Sequence, residues 1–390
     1  MAQPKDFGFG SEEQMLRDSA RKFLKDNSPI EKLRALVAKD HKLAYESDVQ
    51  PLAWDERLWK QMVELGWTAL AVPESAGGVG MKTIAVAALA EEIGRAALPS
   101  PLIATLIATA VLREAGTGVA QACLERVVGG DAASFAGPGA EGSWLPDATS
   151  ITVTESGNGA VLKGTVPYVQ EARKVAFFVV AARDAKGGVG LYAVAADAPG
   201  LKIRPDRVVD LTRDQAHVEF DDVKVDRSAI VASAAGSAGA KAVAAALPAI
   251  LTIVAADLCG AAEWQLQTTA EYARVRTQFD RLIGFFQAVK HPIVNVMIDV
   301  DRARSLTYAA ACAIDAEPES ALRLARMAKA AASDAGAFAS SRSIQLHGGI
   351  GFTWECDVHI YVKRQKHNQF YFGDGPYQRA KIAELIERAA

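Results

Sequence analysis

Two stretches carry side chains whose types and spacing suit a phosphate and a planar ring. The first is Tyr272-Ala-Arg-Val-Arg-Thr-Gln-Phe279, which leads into Gly284-Phe-Phe-Gln287. Arg276 offers a guanidinium fork that matches phosphate oxygens, and Gln278 and Phe279 could shape a nucleotide pocket around it. A plainer role is open to Arg276 as well, a cation complementing the dipole at a helix end. The second stretch is Gln345-Leu-His-Gly-Gly-Ile-Gly351, about seventy residues downstream. Gln345 supplies an amide, and the glycines permit positive φ and close backbone approach. The plainer role here is a helix cap followed by a loop. Either motif alone is weak. The pair, in this order on one helical region, is more specific.

The elements that must position these stretches follow from periodicity. Residues 320–343 are alanine-rich, with Leu324, Met327, Ala328 and Ala331 on a helical stripe. Long helices are also expected from 243 to about 276 and over 285–313, and a last one from near Tyr377. At the other end, Ser11 with Gln14 reads as a capping box, and Leu16, Ala20, Phe23 and Leu24 form one apolar face. Further helices are expected from Asp55 to Gly66, over 84–97 and over 102–115. The Glu91-Glu92 pair reads most simply as a solvated edge. Between these helical regions the texture changes. Short apolar or alternating runs at 150–155, 160–162, 175–182, 189–195, 200–203 and 216–220 are separated by Gly, Asn or Asp. Strands at this spacing point to an antiparallel sandwich or barrel of roughly 100 residues. Residues 233–239 form a small-residue linker. The order of helices, strands, then helices shows no βαβ alternation, so a doubly wound sheet is not expected.

Composition sets the outer bounds. The 390 residues are half apolar, with 43 basic and 46 acidic side chains and a net charge of -3. That balance gives no case for nucleic acid or an anionic membrane surface. Cys123, Cys259, Cys312 and Cys356 lack metal-ligand or CxxC spacing, which suits a reduced, cytoplasmic protein without a bound metal. The start, MAQPKDFGFG, has no apolar signal core. The apolar run over 234–256 contains Lys241 and Pro248 and is followed by Asp257, so a buried helix is expected rather than a membrane span.

The sequence resembles the acyl-CoA dehydrogenase family over its whole length. The residues that carry the resemblance are Val72-Pro-Glu-Ser-Ala-Gly-Gly-Val-Gly80, Ala90-Glu-Glu-Ile-Gly-Arg95, Arg276-Thr-Gln-Phe279, Phe286-Gln287 and Gln345-Leu-His-Gly-Gly349. The resemblance implies an α+β multidomain fold. Its parts are an N-terminal helical domain (1–125), a middle antiparallel β domain (126–230) and a C-terminal four-helix bundle (231–390). It implies FAD bound without a covalent bond, with Arg276, Gln278, Phe279, Gln287, Gln345, Leu346, His347, Gly348 and Gly349 as its contacts, Arg276, Gln278 and Phe279 facing the FAD of a neighbouring subunit. It implies α,β-dehydrogenation of an acyl-CoA thioester, electrons passing to an electron-transfer flavoprotein, and a dimer or tetramer.

The sequence departs from the family where the α-proton base belongs. The usual glutamate position falls on Phe372, and the alternative on the first long helix of the C-terminal domain falls on Ile250. Neither side chain takes a proton. Asp374, in Phe372-Gly-Asp-Gly375, is the first substitute candidate, although an Asp before a helix is also a common cap. Asp257 is the second; it lies seven residues past Ile250 on the same helix face, roughly 10 Å along the axis. A structural partner such as Arg304 would give it another role. Glu355 is a third, weaker candidate. The flavin-contacting stretches of the middle domain are also altered, to 136–144 and to Val166-Pro-Tyr-Val-Gln170.

The sequence therefore points to an FAD-dependent acyl-CoA dehydrogenase acting on a bulky, branched or cyclic acyl group. Within the fold, the alternative is a non-catalytic or half-site subunit of a heteromer whose related chain supplies the base. A catalytically silent scaffold and a flavin-dependent monooxygenase are the remaining alternatives.

Overall fold

The structure, a computed structural model, describes residues 9–38, 52–137, 139 and 143–389. An N-terminal helical layer comprises α1 (Ser11–Asn27), α2 (Ile30–Ala38), α3 (Glu56–Glu64), α4 (Thr83–Arg95), α5 (Leu102–Ala115) and α6 (Gly118–Val128). Asp55 caps α3 by accepting from the Arg57 and Leu58 amides, as its position ahead of an apolar stripe predicts. The cap of α1 differs from the expected Ser11–Gln14 pair. Gly10 precedes the helix, and its N–H donates to Glu13 Oε2 at 2.9 Å.

The middle region is a sheet of eight strands. These are β1 (Ala133–Ala136), β2 (Thr152–Ser156), β3 (Gly159–Gln170), β4 (Phe177–Arg183), β5 (Val189–Ala195), β6 (Leu201–Pro205), β7 (Gln215–Asp226) and β8 (Ile230–Ala232). Their order is β6-β7-β3-β2-β4-β5-β8, with β1 on β4. Most pairs are antiparallel as expected, but β1 runs parallel to β4 and β2 meets β4 in a parallel bridge, so the sheet is mixed. β1 and β8 are too short to register as periodic runs, which is why the sequence does not mark them.

The C-terminal bundle comprises α7 (Ala238–Val275), α8 (Gln287–Ala316), α9 (Pro318–His347), α10 (Val358–Phe370) and α11 (Gly375–Ala389). A small hairpin, β9 (Thr277–Gln278) with β10 (Arg281–Leu282), joins α7 to α8. The long apolar α7 is a core helix, as expected, packed by α4, α5, α8, α9 and α10. It crosses α4 at small residues. A Cβ on Gly94 would lie 2.1 Å from the Asp257 carbonyl oxygen, and one on Gly260 would lie 1.8 Å from that of Glu91. Only glycine permits this approach, and it fixes Glu91 and Asp257 inside the crossing.

The Glu91-Glu92 pair is consequently not a solvated edge. Both side chains are buried and paired. Glu91 accepts from Arg304 Nε at 2.9 Å and from the Tyr308 hydroxyl at 2.7 Å, and Glu92 accepts two bonds from Arg21. Almost every side chain of α4 is buried, so the helix has no solvent face for the acids to occupy.

Candidate active site

The two motifs meet at one end of the bundle. Tyr272, in the last turn of α7, stacks on His347, the last residue of α9, with centroids 4.3 Å apart and planes 22° apart. The His347 Nδ1–H donates to the Ser343 carbonyl at 2.8 Å, and the Thr269 hydroxyl donates to the Ser343 hydroxyl at 3.0 Å. Burial lowers the His347 pKa, so the ring is a neutral packing partner. α9 is one turn longer than the 320–343 stripe predicts, so Gln345, Leu346 and His347 belong to the helix rather than to the loop after it.

Beyond this stack both chains emerge at the surface. Arg276, Gln278 and Gln287 are exposed, and Phe279 is 84 % exposed. Phe279 and Asp280 both take positive φ, which is the tight turn that a two-residue hairpin loop needs. Gln345, Gly348 and Gly349 are exposed as well, and nothing lies within 4 Å of a Cβ built on either glycine. Among the described residues the Arg276 guanidinium has no partner. A free cation, an exposed ring and open glycine backbone form a donor set that suits a dinucleotide.

The interior of the same bundle is the opposite. Asp257 is fully buried and its carboxylate is saturated. It accepts from Arg364 Nε at 2.9 Å and Nη2 at 2.7 Å, from Arg213 Nη2 at 2.6 Å and from Asn368 Nδ2 at 2.9 Å. Burial opposes the charge, but the two guanidinium groups outweigh it and hold the Asp257 pKa below the ordinary value. The partner anticipated for it, Arg304, instead bridges Glu91 and Glu263. The remaining Arg364 donors reach the Thr212 hydroxyl at 3.0 Å and the Leu98 carbonyl at 3.4 Å. Nearby, Lys174 and Glu171 form a second buried pair at 2.6 Å.

Asp374 has the plainer of its two expected roles. Its Oδ1 accepts from the Tyr377 amide at 3.0 Å and its carbonyl from the Gln378 amide at 2.9 Å, so it caps α11. Glu355 is exposed. Phe372 takes φ +58° and is buried, with its ring 4.6 Å from Trp144 and 4.7 Å from Tyr371. Ile250 is buried in the core. The Phe372 loop is pinned by side chains the sequence did not single out. Lys329 Nζ donates to the Gln369 and Gly373 carbonyls at 3.0 and 2.8 Å, and Gln378 Nε2 donates to the Phe372 carbonyl at 2.5 Å.

Between the sheet and α10 lies a cavity of about 410 Å³, walled by Trp144, Tyr168, Gln170, His367, Phe370 and Tyr371 among others. Tyr168 and Gln170 come from one altered flavin-contacting stretch and Trp144 from the end of the other, of which Pro138 and residues 140–142 lie outside the described residues. His367 was not identified from sequence. It joins Gln170 at 2.7 Å across 197 positions of chain, a pairing with no local signal.

The chain matches the family models described as acyl-CoA dehydrogenase, N-terminal domain, over residues 10–131, and acyl-CoA dehydrogenase, C-terminal domain, over residues 237–386. It is 31% identical over 354 residues to acyl-CoA dehydrogenase IpdE2 of Mycobacterium tuberculosis, covering 90% of each chain. Among solved structures it is similar to the ChsE4-ChsE5 complex from Mycobacterium tuberculosis, with a TM-score of 0.85, 26% identity and coverage of 98% of this chain and 99% of that one. It is equally similar to a variant of the Tcur3481-Tcur3483 steroid ACAD, with a TM-score of 0.85, 29% identity and the same coverage. With matched domains at both ends, the expected fold and a relative at this identity over nine-tenths of its length, the chain belongs to the acyl-CoA dehydrogenase family, whose cofactor is FAD and whose chemistry is oxidation of a CH–CH bond.

Proposed function

We propose that this chain acts in acyl-CoA dehydrogenation as one subunit of a heteromer, in which a related chain supplies the α-proton base. The observation that carries this is the state of the two usual base positions and of the two substitute aspartates. Phe372 and Ile250 have none, Asp257 is saturated by two arginines and an asparagine, and Asp374 is spent on a helix cap. A base must reach the substrate proton, whereas Asp257 is enclosed by its donors and Asp374 is engaged in a helix cap. In this reading Arg276, Gln278, Phe279 and Gln287 meet the pyrophosphate and adenine half of FAD across a subunit boundary. Residues 345–349 approach the other part of the cofactor. The bound flavin supplies the two-electron acceptor, and this chain binds, orients and keeps water from it.

The similar structures include one of a complex of two differently named chains and one of a steroid ACAD, which favours a ring-bearing acyl group and a heteromeric assembly here. Reoxidation by an electron-transfer flavoprotein fits the same family. Four free cysteines fit a reducing cytoplasm.

The test is anaerobic flavin reduction with short, branched, aromatic-ring and steroid CoA thioesters. It is run on the chain alone and on the chain co-expressed with a related chain that has Glu where this one has Phe372. The expected outcome is bleaching only in the complex, fastest with a ring substrate. Bleaching by the homo-oligomer overturns the heteromeric reading. If Asp374→Asn then abolishes that bleaching while the protein stays folded, catalysis by this chain alone with Asp374 as base replaces it.

A further inference from the structure

One wall of the cavity between the sheet and α10 carries a continuous line of side-chain hydrogen bonds with a fixed polarity. It starts at Asp206, just past β6. A carboxylate accepts and has no proton to give, so both its neighbours must donate. Gln215 Nε2 reaches Oδ2 at 2.8 Å, and His217 Nδ1 reaches Oδ1 at 2.6 Å. Gln215 must then turn its oxygen toward Gln170, whose Nε2 donates to it at 2.9 Å. The same Gln170 nitrogen donates to the Tyr168 carbonyl at 3.1 Å, a second group that only accepts. With its nitrogen committed twice, Gln170 presents its oxygen to His367, and the His367 Nε2–H donates to it at 2.7 Å.

The remaining His367 nitrogen follows from this order. Desolvation lowers the His367 pKa to about 4, so the ring is neutral and carries a single N–H. That hydrogen is on Nε2, which leaves Nδ1 with a lone pair. Nδ1 has no partner among the described residues, and His367, Gln170 and Gln215 all line the cavity. The wall therefore offers an acceptor where a histidine in the other tautomer would offer a donor.

We propose that His367 Nδ1 is a hydrogen-bond acceptor for a ring N–H of the flavin, held in one tautomer by Gln170 and, behind it, by Gln215 and Asp206. The ligand rests on the FAD assignment above; the tautomer does not. Oxidised flavin has one ring N–H, at N3, and the pyrimidine edge that carries it is planar and polar, which suits a cavity lined by aromatic rings and one acceptor. His367 is a positioning residue for the cofactor by this argument, and it takes no proton in the reaction.

The test uses the oligomer as purified, labelled with 15N in its histidine rings, stripped of flavin and reloaded with FAD. Solid-state 15N spectra assign the His367 signals by their loss in His367→Gln. The expected result is a protonated Nε2 and a bare Nδ1, with the Nδ1 resonance moving when FAD is added. Gln170→Leu should release the lock, so that the Nδ1–H form appears, and should weaken FAD binding about three- to tenfold, the scale of one neutral hydrogen bond. If Gln170→Leu fails to fold, Gln215→Leu gives the same tautomer readout with a smaller change. An Nδ1–H tautomer in the unmodified protein overturns the lock. Flavin uptake with an unmoved Nδ1 overturns the contact while leaving the cofactor assignment intact. Failure to take up FAD at all overturns the assignment and the contact together, and the tautomer is still read from the flavin-free spectrum.

Discussion

The two halves of the C-terminal bundle are built to different rules. At the rim, around Tyr272 and His347, the chain ends its helices and leaves an exposed hairpin, open glycines and an arginine that has no partner among the described residues. In the interior, Asp257 and the Phe372 loop are enclosed and their polar groups are engaged. Asp257 has two arginines and an asparagine, the Phe372 ring is packed on Trp144, and the loop carbonyls are held by Lys329 and Gln378. An exposed cation is satisfied by water and keeps its donors free for a ligand outside the chain. A buried carboxylate with four donors is complete already. The contrast teaches that the aspartate inside the bundle is already engaged by this chain, while the rim keeps its donors free, as the heteromeric reading proposes.

The largest expected effect breaks the closed half. Asp257→Ala leaves Arg364 buried without its carboxylate partner and Arg213 with the more distant Glu171 at 3.9 Å, and should cost about 3–5 kcal/mol of unfolding free energy, read from urea titration. Asp257→Asn should lose a large part of the same stability, because a neutral amide removes the counter-charge and its NH2 would face the Arg364 Nε and Asn368 Nδ2 donors that one oxygen now accepts from. A catalytic aspartate would behave the other way, with flavin bleaching lost and stability nearly kept.

Lys329 gives a pH-dependent version of the same test. Burial lowers its pKa from the usual lysine value to about 7, and Asp374 and Asp334 only partly restore it. The unfolded chain therefore holds more protons than the folded one between pH 7 and about 10, and stability must rise with pH across that window. Below pH 7 both states carry the proton and the penalty is constant. In Lys329→Met that upward slope between pH 7 and 9 should disappear, whatever the variant's absolute stability. An unchanged slope would mean that the ammonium is not enclosed and the Phe372 loop is not locked as the hydrogen bonds indicate.

How much of this contrast was legible in the sequence depends on whether a partner is near in the chain. The rim was legible. Arg276 to Phe279 and Gln345 to Gly349 announce themselves by residue type and spacing, and the longer helices and most strands followed from periodicity, whereas the helices over 30–38 and 118–128 and the short β1 and β8 did not. The interior was not. The partners of Glu91 and Glu92 come from 213 and 71 positions away, and those of Asp257 from 44, 107 and 111. Helix α10 was missed for a related reason. Its buried side mixes Val358, Ile360 and Tyr361 with His359, Arg364, Gln365 and Asn368, so no continuous apolar stripe marks it. The base positions are an intermediate case. Counting along the chain found Phe372 and Ile250, but only the packing shows that the aspartates beside them are already engaged.

The open half is tested by substitutions that should leave the fold alone. Arg276→Ala removes an exposed side chain that has no partner among the described residues, so unfolding free energy should stay within about 0.5 kcal/mol. FAD affinity of the assembled oligomer should fall about tenfold or more, the scale of a charge-assisted hydrogen bond. Gly349→Leu sharpens the same point. Apart from its chain neighbours, none of the described residues comes within 4 Å of the added Cβ, so stability should hold while flavin content on purification drops. Loss of stability in either variant, with FAD content unchanged, would show that the rim is structural.

The smallest expected effect is the most discriminating. Asp374 sits two residues past the position where the family resemblance implies a base, and its carboxylate accepts from the Tyr377 amide at the start of α11. If that cap is its whole role, Asp374→Ala should cost about 1 kcal/mol, and Asp374→Asn only a few tenths, because Asn caps nearly as well as Asp. Flavin bleaching by the heteromer should be unchanged in both. A base predicts the reverse ranking. Asn and Ala would then be equally inactive, and the loss in reduction rate would far exceed the change in stability. The Asn variant therefore separates two roles that the Ala variant alone would confound, since it keeps the hydrogen bond that orders the helix and removes only the capacity to take a proton.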